Sequence, residues 1–142
     1  MIDVNTRNIQ GRSLAIGRAD PHTLVVDLPP ERGGDGLGFN GGELLYLAVA
    51  GCVSNDLFRE AALQGIELTN VRVRVVGDFS GDPAVSAPVE YEVKLEGNAA
   101  PERLRALVEQ VDRIAEIPNS LRAGTPVRLS GTRVAQQPPA AS

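Results

Sequence analysis

Gly41-Gly-Glu-Leu-Leu-Tyr-Leu-Ala-Val-Ala-Gly-Cys-Val-Ser-Asn-Asp56 is the stretch that decides how this chain folds. From Leu44 to Val53 nearly every side chain is apolar or small, so no polar face separates out. A helix of that kind is buried on every side. Asn40 supplies a side-chain oxygen for the first free N–H groups, and Glu43 completes the pattern of a capping box. Glu43 also sets negative charge at the positive end of the helix dipole. From Ser54 to Gln64 the pattern turns amphipathic, and Gly65 is placed to close the helix in a left-handed turn.

Strand signals flank this helix. On the N-terminal side Arg12-Ser-Leu-Ala-Ile16 alternates, Asp20-Pro21 signals a turn, and Thr23-Leu-Val-Val-Asp-Leu28 is β-branched and apolar. The pair predicts a hairpin. Pro29, Pro30 and Gly33-Gly-Asp-Gly-Leu-Gly38 follow without the lysine of a phosphate-binding loop, so they read as a connector or lid. On the C-terminal side Val71, Val73 and Val75 alternate with Arg72 and Arg74, and Val89, Tyr91, Val93 and Leu95 alternate with Glu90, Glu92 and Lys94. Each pattern buries one face and wets the other, and the charged faces are placed to pair across antiparallel strands. Pro101 opens a second helix whose stripe is Leu104, Leu107, Val108, Val111, Ile114 and Ala115, and Pro118 is expected to break it. Asn119 to Gly124 reads as a short helical turn, Val127 to Ser130 as a last strand. The order ββ-α-ββ-α-β predicts an α+β fold with antiparallel sheets rather than a parallel one.

With 142 residues, the chain has room for one core-bearing domain, taken as residues 1–134, and the tail 135–142 (AQQPPAAS) reads as disordered. A net charge of −4 and five scattered aromatics disfavour a nucleic-acid partner. No run approaches the roughly 20 apolar residues that span a bilayer, and the start MIDVNTRNIQGR has no apolar leader core, so the expected location is cytoplasmic with no membrane partner. One cysteine and one histidine exclude an internal disulfide and a cysteine-rich zinc site; neither metal nor cofactor is expected.

The helix block closely resembles the central helix of the OsmC/Ohr family (osmotically induced and organic hydroperoxide resistance proteins). Glu43, Ala50, Gly51, Cys52 and Asp56 carry the likeness, supported by His22 to Asp27 and by Asn119-Ser-Leu-Arg-Ala-Gly-Thr-Pro-Val127 in the same order. The likeness covers roughly residues 8 to 134. It implies an intertwined homodimer with two central helices buried together, and thiol-dependent reduction of organic hydroperoxides. It further implies that Cys52 is the peroxidatic residue, with a hairpin arginine and a glutamate near the helix start completing the site. In the family a second cysteine resolves the sulfenic acid; here Ala115 stands in that place, so an external thiol must act as reductant, or the activity has been lost.

Residue by residue, alternatives stay open. Peroxide attack needs the Cys52 thiolate, which mid-helix burial and a charged Asp56 one turn on both oppose; a nearby arginine is needed to counter them. The alternative is an inert core cysteine. Glu43 lies nine residues before Cys52, roughly 13 Å along a straight helix, so it acts across a dimer or serves only as a cap. An ungapped match places Arg12 at the hairpin arginine, with Arg18 a close competitor. Asp56 reads as a solvated or capping-partner carboxylate, and His22 as structural. The two functional readings are a one-cysteine hydroperoxide reductase and a non-enzymatic dimer that binds a small apolar ligand.

Overall fold

The computed structural model describes residues 1–137. The long helix α1 runs Gly41–Leu63, and its capping box forms as expected. Asn40 Oδ1 accepts the Glu43 N–H at 3.0 Å, and Glu43 Oε2 accepts the Asn40 N–H at 2.9 Å. Past its end Gly65 adopts φ +67°, a left-handed angle that glycine reaches without steric cost.

Two antiparallel sheets and a small hairpin flank α1. Strands β1 (Asn5–Asn8), β2 (Ala15–Ala19) and β3 (His22–Val26) form an antiparallel sheet in that order. Ala19 pairs with His22, which leaves Asp20-Pro21 as the two-residue turn of the expected hairpin. β1 was not legible from sequence: Asn-Thr-Arg-Asn has no apolar alternation and joins through its backbone to the edge of β2. After α1, strand β4 (Leu68–Val76) pairs antiparallel with β7 (Glu90–Gly97), Val73 opposite Val93 and Val75 opposite Tyr91. Between them the expected long turn contains a short hairpin, β5 (Phe79–Ser80) with β6 (Val85–Ser86). Phe79 stacks on Tyr46 of α1 at 5.7 Å between ring centroids, tying this hairpin to the helix.

Helix α2 (Pro101–Ile114) lies with α1 on the apolar face of the β4–β7 pair. Val53, Leu57 and Ala61 of α1 meet Leu107, Val111 and Ala115, and Val71, Val73, Val93 and Leu95 close the cluster from the strands. The outer face carries Arg72, Arg74, Glu92 and Lys94, all exposed. Arg74 stands opposite Glu92, but Arg72 faces Lys94, and among the described residues no ion pair crosses these strands. Lys94 instead approaches Glu92 of its own strand at 3.9 Å.

The C-terminal third departs from expectation in two places. α2 ends at Ile114, before Pro118, because Ala115 turns extended (φ −60°, ψ +120°). Pro118 then sits in the first turn of α3 (Glu116–Arg122), where its missing N–H has no intrahelical partner to lose. The last strand expected at Val127 to Ser130 does not form: residues 125–137 have no regular structure, and Val127 and Leu129 are 95% and 85% exposed. Alternation marks a strand with one face to bury, and this chain alone offers that face nothing. Of the tail expected to be disordered, residues 138–142 lie outside the described residues.

A single chain also fails to bury α1 on every side. Val49, Val53, Leu57 and Ala61 face the core, but Leu47 and Phe58 are about half exposed and Ala48 and Gly51 are open. These positions form one stripe along the helix. A methyl group built on Gly51 meets nothing within 4 Å.

Candidate functional site

Cys52 lies halfway along α1, beside the core rather than in it. Its side chain is half-buried and packs against the cluster that contains Ala115. Ala115, the position that the family resemblance assigns to a second cysteine, is a member of that cluster and carries only a methyl group there. Among the described residues the polar partner of the thiol is Asp56, one helical turn on, with Sγ 4.0 Å from Oδ2. That is a long, weak S–H···O contact.

Asp56 corrects the sequence expectation. It is 5% exposed, not solvated, and its other oxygen, Oδ1, is 2.5 Å from Arg59 Nη1. Arg59 reaches on through Nε to Glu60 Oε1 at 3.0 Å, and Gln110 of α2 donates to Glu60 Oε2 at 2.8 Å. Hydrogen bonding to Glu60, then the charges of Asp56 and Glu60, outweigh desolvation and push the Arg59 guanidinium above its ordinary value, so it stays charged. The i, i+3 spacing of Asp56 and Arg59 was the available sequence signal.

The other two proposed site residues lie elsewhere on the chain. Glu43 is engaged at the N-terminus of α1 by the cap. Arg12 donates through Nε and Nη2 to Asp35 Oδ2, at 3.1 and 2.5 Å. Arg18, its competitor, pairs with Asp20 at 2.7 Å. Cys52, Glu43 and Arg12 are not brought together within one chain by any hydrogen bond or ion pair among the described residues.

The loop that carries Asp35 is cinched around a carboxylate. Asp27, 2% exposed, accepts the Ser13 hydroxyl (2.8 Å) and the backbone N–H groups of Leu28 (2.8 Å), Asp35 (3.1 Å) and Leu37 (3.1 Å). Glycine is required here: a Cβ on Gly34 would fall 2.0 Å from the Leu28 carbonyl oxygen. Burial alone raises the Asp27 carboxyl, but these four donors outweigh it and hold it below its usual 3.8. A depressed folded-state value means that Asp27 stabilises the fold above the unfolded value and loses that contribution as pH falls through the folded one. Asp27→Asn is therefore expected to lower the thermal midpoint by several degrees at pH 7, with the gap to the parent closing below about pH 3.8. Melting curves across pH 2 to 8 check this, and a gap of constant size would contradict it.

Between the N-terminal sheet and α1 lies an open groove of about 610 Å³. Its walls are largely apolar, with Val4, Leu24 and Val26 facing Leu44 and Ala48, and Arg18 and His22 also line it. Ala48 stands one turn before Cys52 on the same helix. A second titratable cluster joins Tyr91, Asp112 and Arg122, in which the Tyr91 hydroxyl donates to Asp112 and Arg122 Nη2 lies 2.6 Å from the same oxygen. Burial, then the Asp112 carboxylate, pushes Tyr91 up to about 12. With its donors and acceptors mutually satisfied, this cluster ties α3 to α2 and β7.

No helix among the described residues is long and apolar enough to cross a membrane. The fold is shared with solved structures at low sequence identity. An OsmC-like protein from Mycoplasma pneumoniae superposes with a TM-score of 0.74 at 15% identity, covering 86% of this chain and 87% of that one. An organic hydroperoxide resistance protein OsmC from Legionella pneumophila gives 0.58 at 19% identity, covering 86% and 89%. An organic hydroperoxide resistance protein from Elizabethkingia anophelis, crystallised with thiocyanate bound, gives 0.60 at 17% identity, covering 86% and 88%. No curated protein matches the sequence significantly. The family model of the OsmC-like proteins matches residues 33–130, more than half of the sequence, and the chain belongs to that family.

Proposed function

We propose that this protein is a cytoplasmic thiol-dependent peroxidase that reduces organic hydroperoxides through the single cysteine Cys52, with an external thiol as reductant. The observation that carries the reading is a free, half-buried thiol on the family's central helix, one turn from an apolar groove of about 610 Å³. The groove suits an organic hydroperoxide, whose carbon tail gains roughly 25 cal/mol per Å² of apolar surface removed from water.

In this scheme the Cys52 thiolate attacks the distal peroxide oxygen and the O–O bond breaks. The alkoxide takes a proton and leaves as the alcohol, and sulfur is oxidised to the sulfenic acid. With Ala115 in place of a resolving cysteine, an external thiol attacks that sulfur, giving a mixed disulfide and water. A second thiol then releases Cys52 by exchange. Arg12 would hold the thiolate and substrate, and Glu43 would orient Arg12, both from the second subunit of a homodimer. The exposed stripe of Leu47, Gly51 and Phe58 supports that assembly, since a patch of this kind on a central helix marks an interaction face.

Titration with one equivalent of cumene hydroperoxide, followed by intact mass, tests the reading. Expected is one oxygen gained at Cys52 and its removal by dithiothreitol. An unchanged mass, with peroxide left in solution, sinks it. Ala115 favours a second reading, a non-enzymatic dimer that holds a small apolar ligand in the groove. In that case an apolar probe partitions into the groove while Cys52 stays unreactive in the native protein.

A further inference from the structure

We infer that Asp56 and Arg59 form an intrahelical charge pair that governs how readily Cys52 ionises, with Arg59 a positioning residue acting on sulfur through Asp56. This rests on the reading of Cys52 as the reacting thiol and adds the group that sets its readiness. Asp56 divides its two oxygens: Oδ2 faces the Cys52 sulfur at 4.0 Å, and Oδ1 binds Arg59 at 2.5 Å. A bare carboxylate beside a sulfur opposes the thiolate, because two like charges then share one small, largely buried space. Arg59 cancels that charge where it arises, without itself reaching sulfur. This neutralisation of Asp56 is complete within one chain, in which Arg12 is engaged with Asp35 and Glu43 with Asn40.

Arg59 is held in place from a second helix. Its Nε binds Glu60, whose other oxygen accepts from Gln110 of α2, and Gln64 donates in turn to Gln110 at 2.9 Å. The charged groups of this stretch of α1 are thus Asp56, Arg59 and Glu60, and α2 contributes the neutral Gln110. The strands present apolar Val71, Val73, Val93 and Leu95 to the cluster against which Cys52 packs, together with the Tyr91 ring, whose hydroxyl is engaged by Asp112. The carboxylates outnumber the guanidinium, so losing Arg59 leaves two negative charges with no cation. No electron moves in this step; the pair alters only how easily the thiol proton departs to solvent.

Alkylation of native Cys52 by iodoacetamide, followed across pH by intact mass, tests the inference without using peroxide. Arg59→Gln is expected to alkylate roughly three- to tenfold more slowly at neutral pH, with its profile displaced upward. Arg59→Lys retains most of the parent rate. Asp56→Asn alkylates faster than the parent, and adding Arg59→Gln to Asp56→Asn changes little, because no carboxylate remains beside sulfur to be cancelled. Parent-like profiles for both Arg59 variants overturn the inference, as does an Arg59→Gln defect that persists in the Asp56→Asn background. If the alkylation pattern holds while cumene hydroperoxide never oxidises Cys52, the charge pair stands and the peroxidase reading falls.

Discussion

Hydroperoxide consumption is expected to fall to the uncatalysed rate in Cys52→Ser, with the fold retained. The chain holds one cysteine, so no other side chain can climb from thiolate to sulfenic acid and back. Serine keeps the approximate shape, and the site is half-buried, so the loss is chemical. Two further variants separate the roles proposed around it. Glutamine serves in a capping box as glutamate does, so Glu43→Gln keeps the helix start intact while removing its charge. If Glu43 acts only as a cap, kcat/KM is unchanged. If it orients Arg12 toward the partner subunit's Cys52, kcat/KM falls by about tenfold or more, and in Arg12→Gln it falls by on the order of a hundredfold, the usual cost of one electrostatic stabiliser. Measured turnover with cumene hydroperoxide and dithiothreitol distinguishes these cases. Residual consumption in Cys52→Ser would place the chemistry elsewhere.

Helix α1 was legible in the sequence because its signals are local: an Asn cap, a glutamate three residues on, a closing glycine and an unbroken apolar run. The pairing of β4 with β7 was legible for a similar reason, since strict alternation fixes which face is buried. What stayed hidden depends on surfaces the pattern does not name. Leu47 and Phe58 look like core residues, and so do Val127 and Leu129, yet this chain leaves all four uncovered. An apolar pattern states that a face needs covering, not which polypeptide covers it. The site was hidden for another reason. Asp56 looked like any helical carboxylate until Arg59 was seen folded back onto it. Arg12 finds Asp35 23 residues away only because Asp27 gathers the intervening loop by its N–H groups. Side-chain reach of this sort follows from tertiary structure and leaves no period in the sequence.

Leu57 and Phe58 are neighbours in sequence, one on the buried side of α1 and the other on its exposed stripe, and their replacement by alanine is expected to fail in different ways. Leu57 is fully buried between α2 and the strands. Removing its isobutyl group loses the transfer energy of the missing carbons and leaves a void that packed neighbours fill only in part. Leu57→Ala should cost about 3 to 4 kcal/mol. For a chain of this size that lowers the melting midpoint by roughly 10 to 15 °C, enough to endanger folding in a domain whose total stability is about 5 to 15 kcal/mol. Phe58 is 48% exposed in the single chain, where its loss would cost little. If a second copy covers the stripe, Phe58→Ala instead weakens assembly, and the penalty becomes concentration-dependent, because association stabilises by mass action. Thermal melts at two protein concentrations, with sedimentation on the same samples, separate the two. A large Leu57→Ala loss beside a small, concentration-independent Phe58→Ala effect would leave the monomer as the folded unit. Dissociation of a dimer on loss of the Phe58 ring would show the apolar run of α1 to be a core completed by the partner.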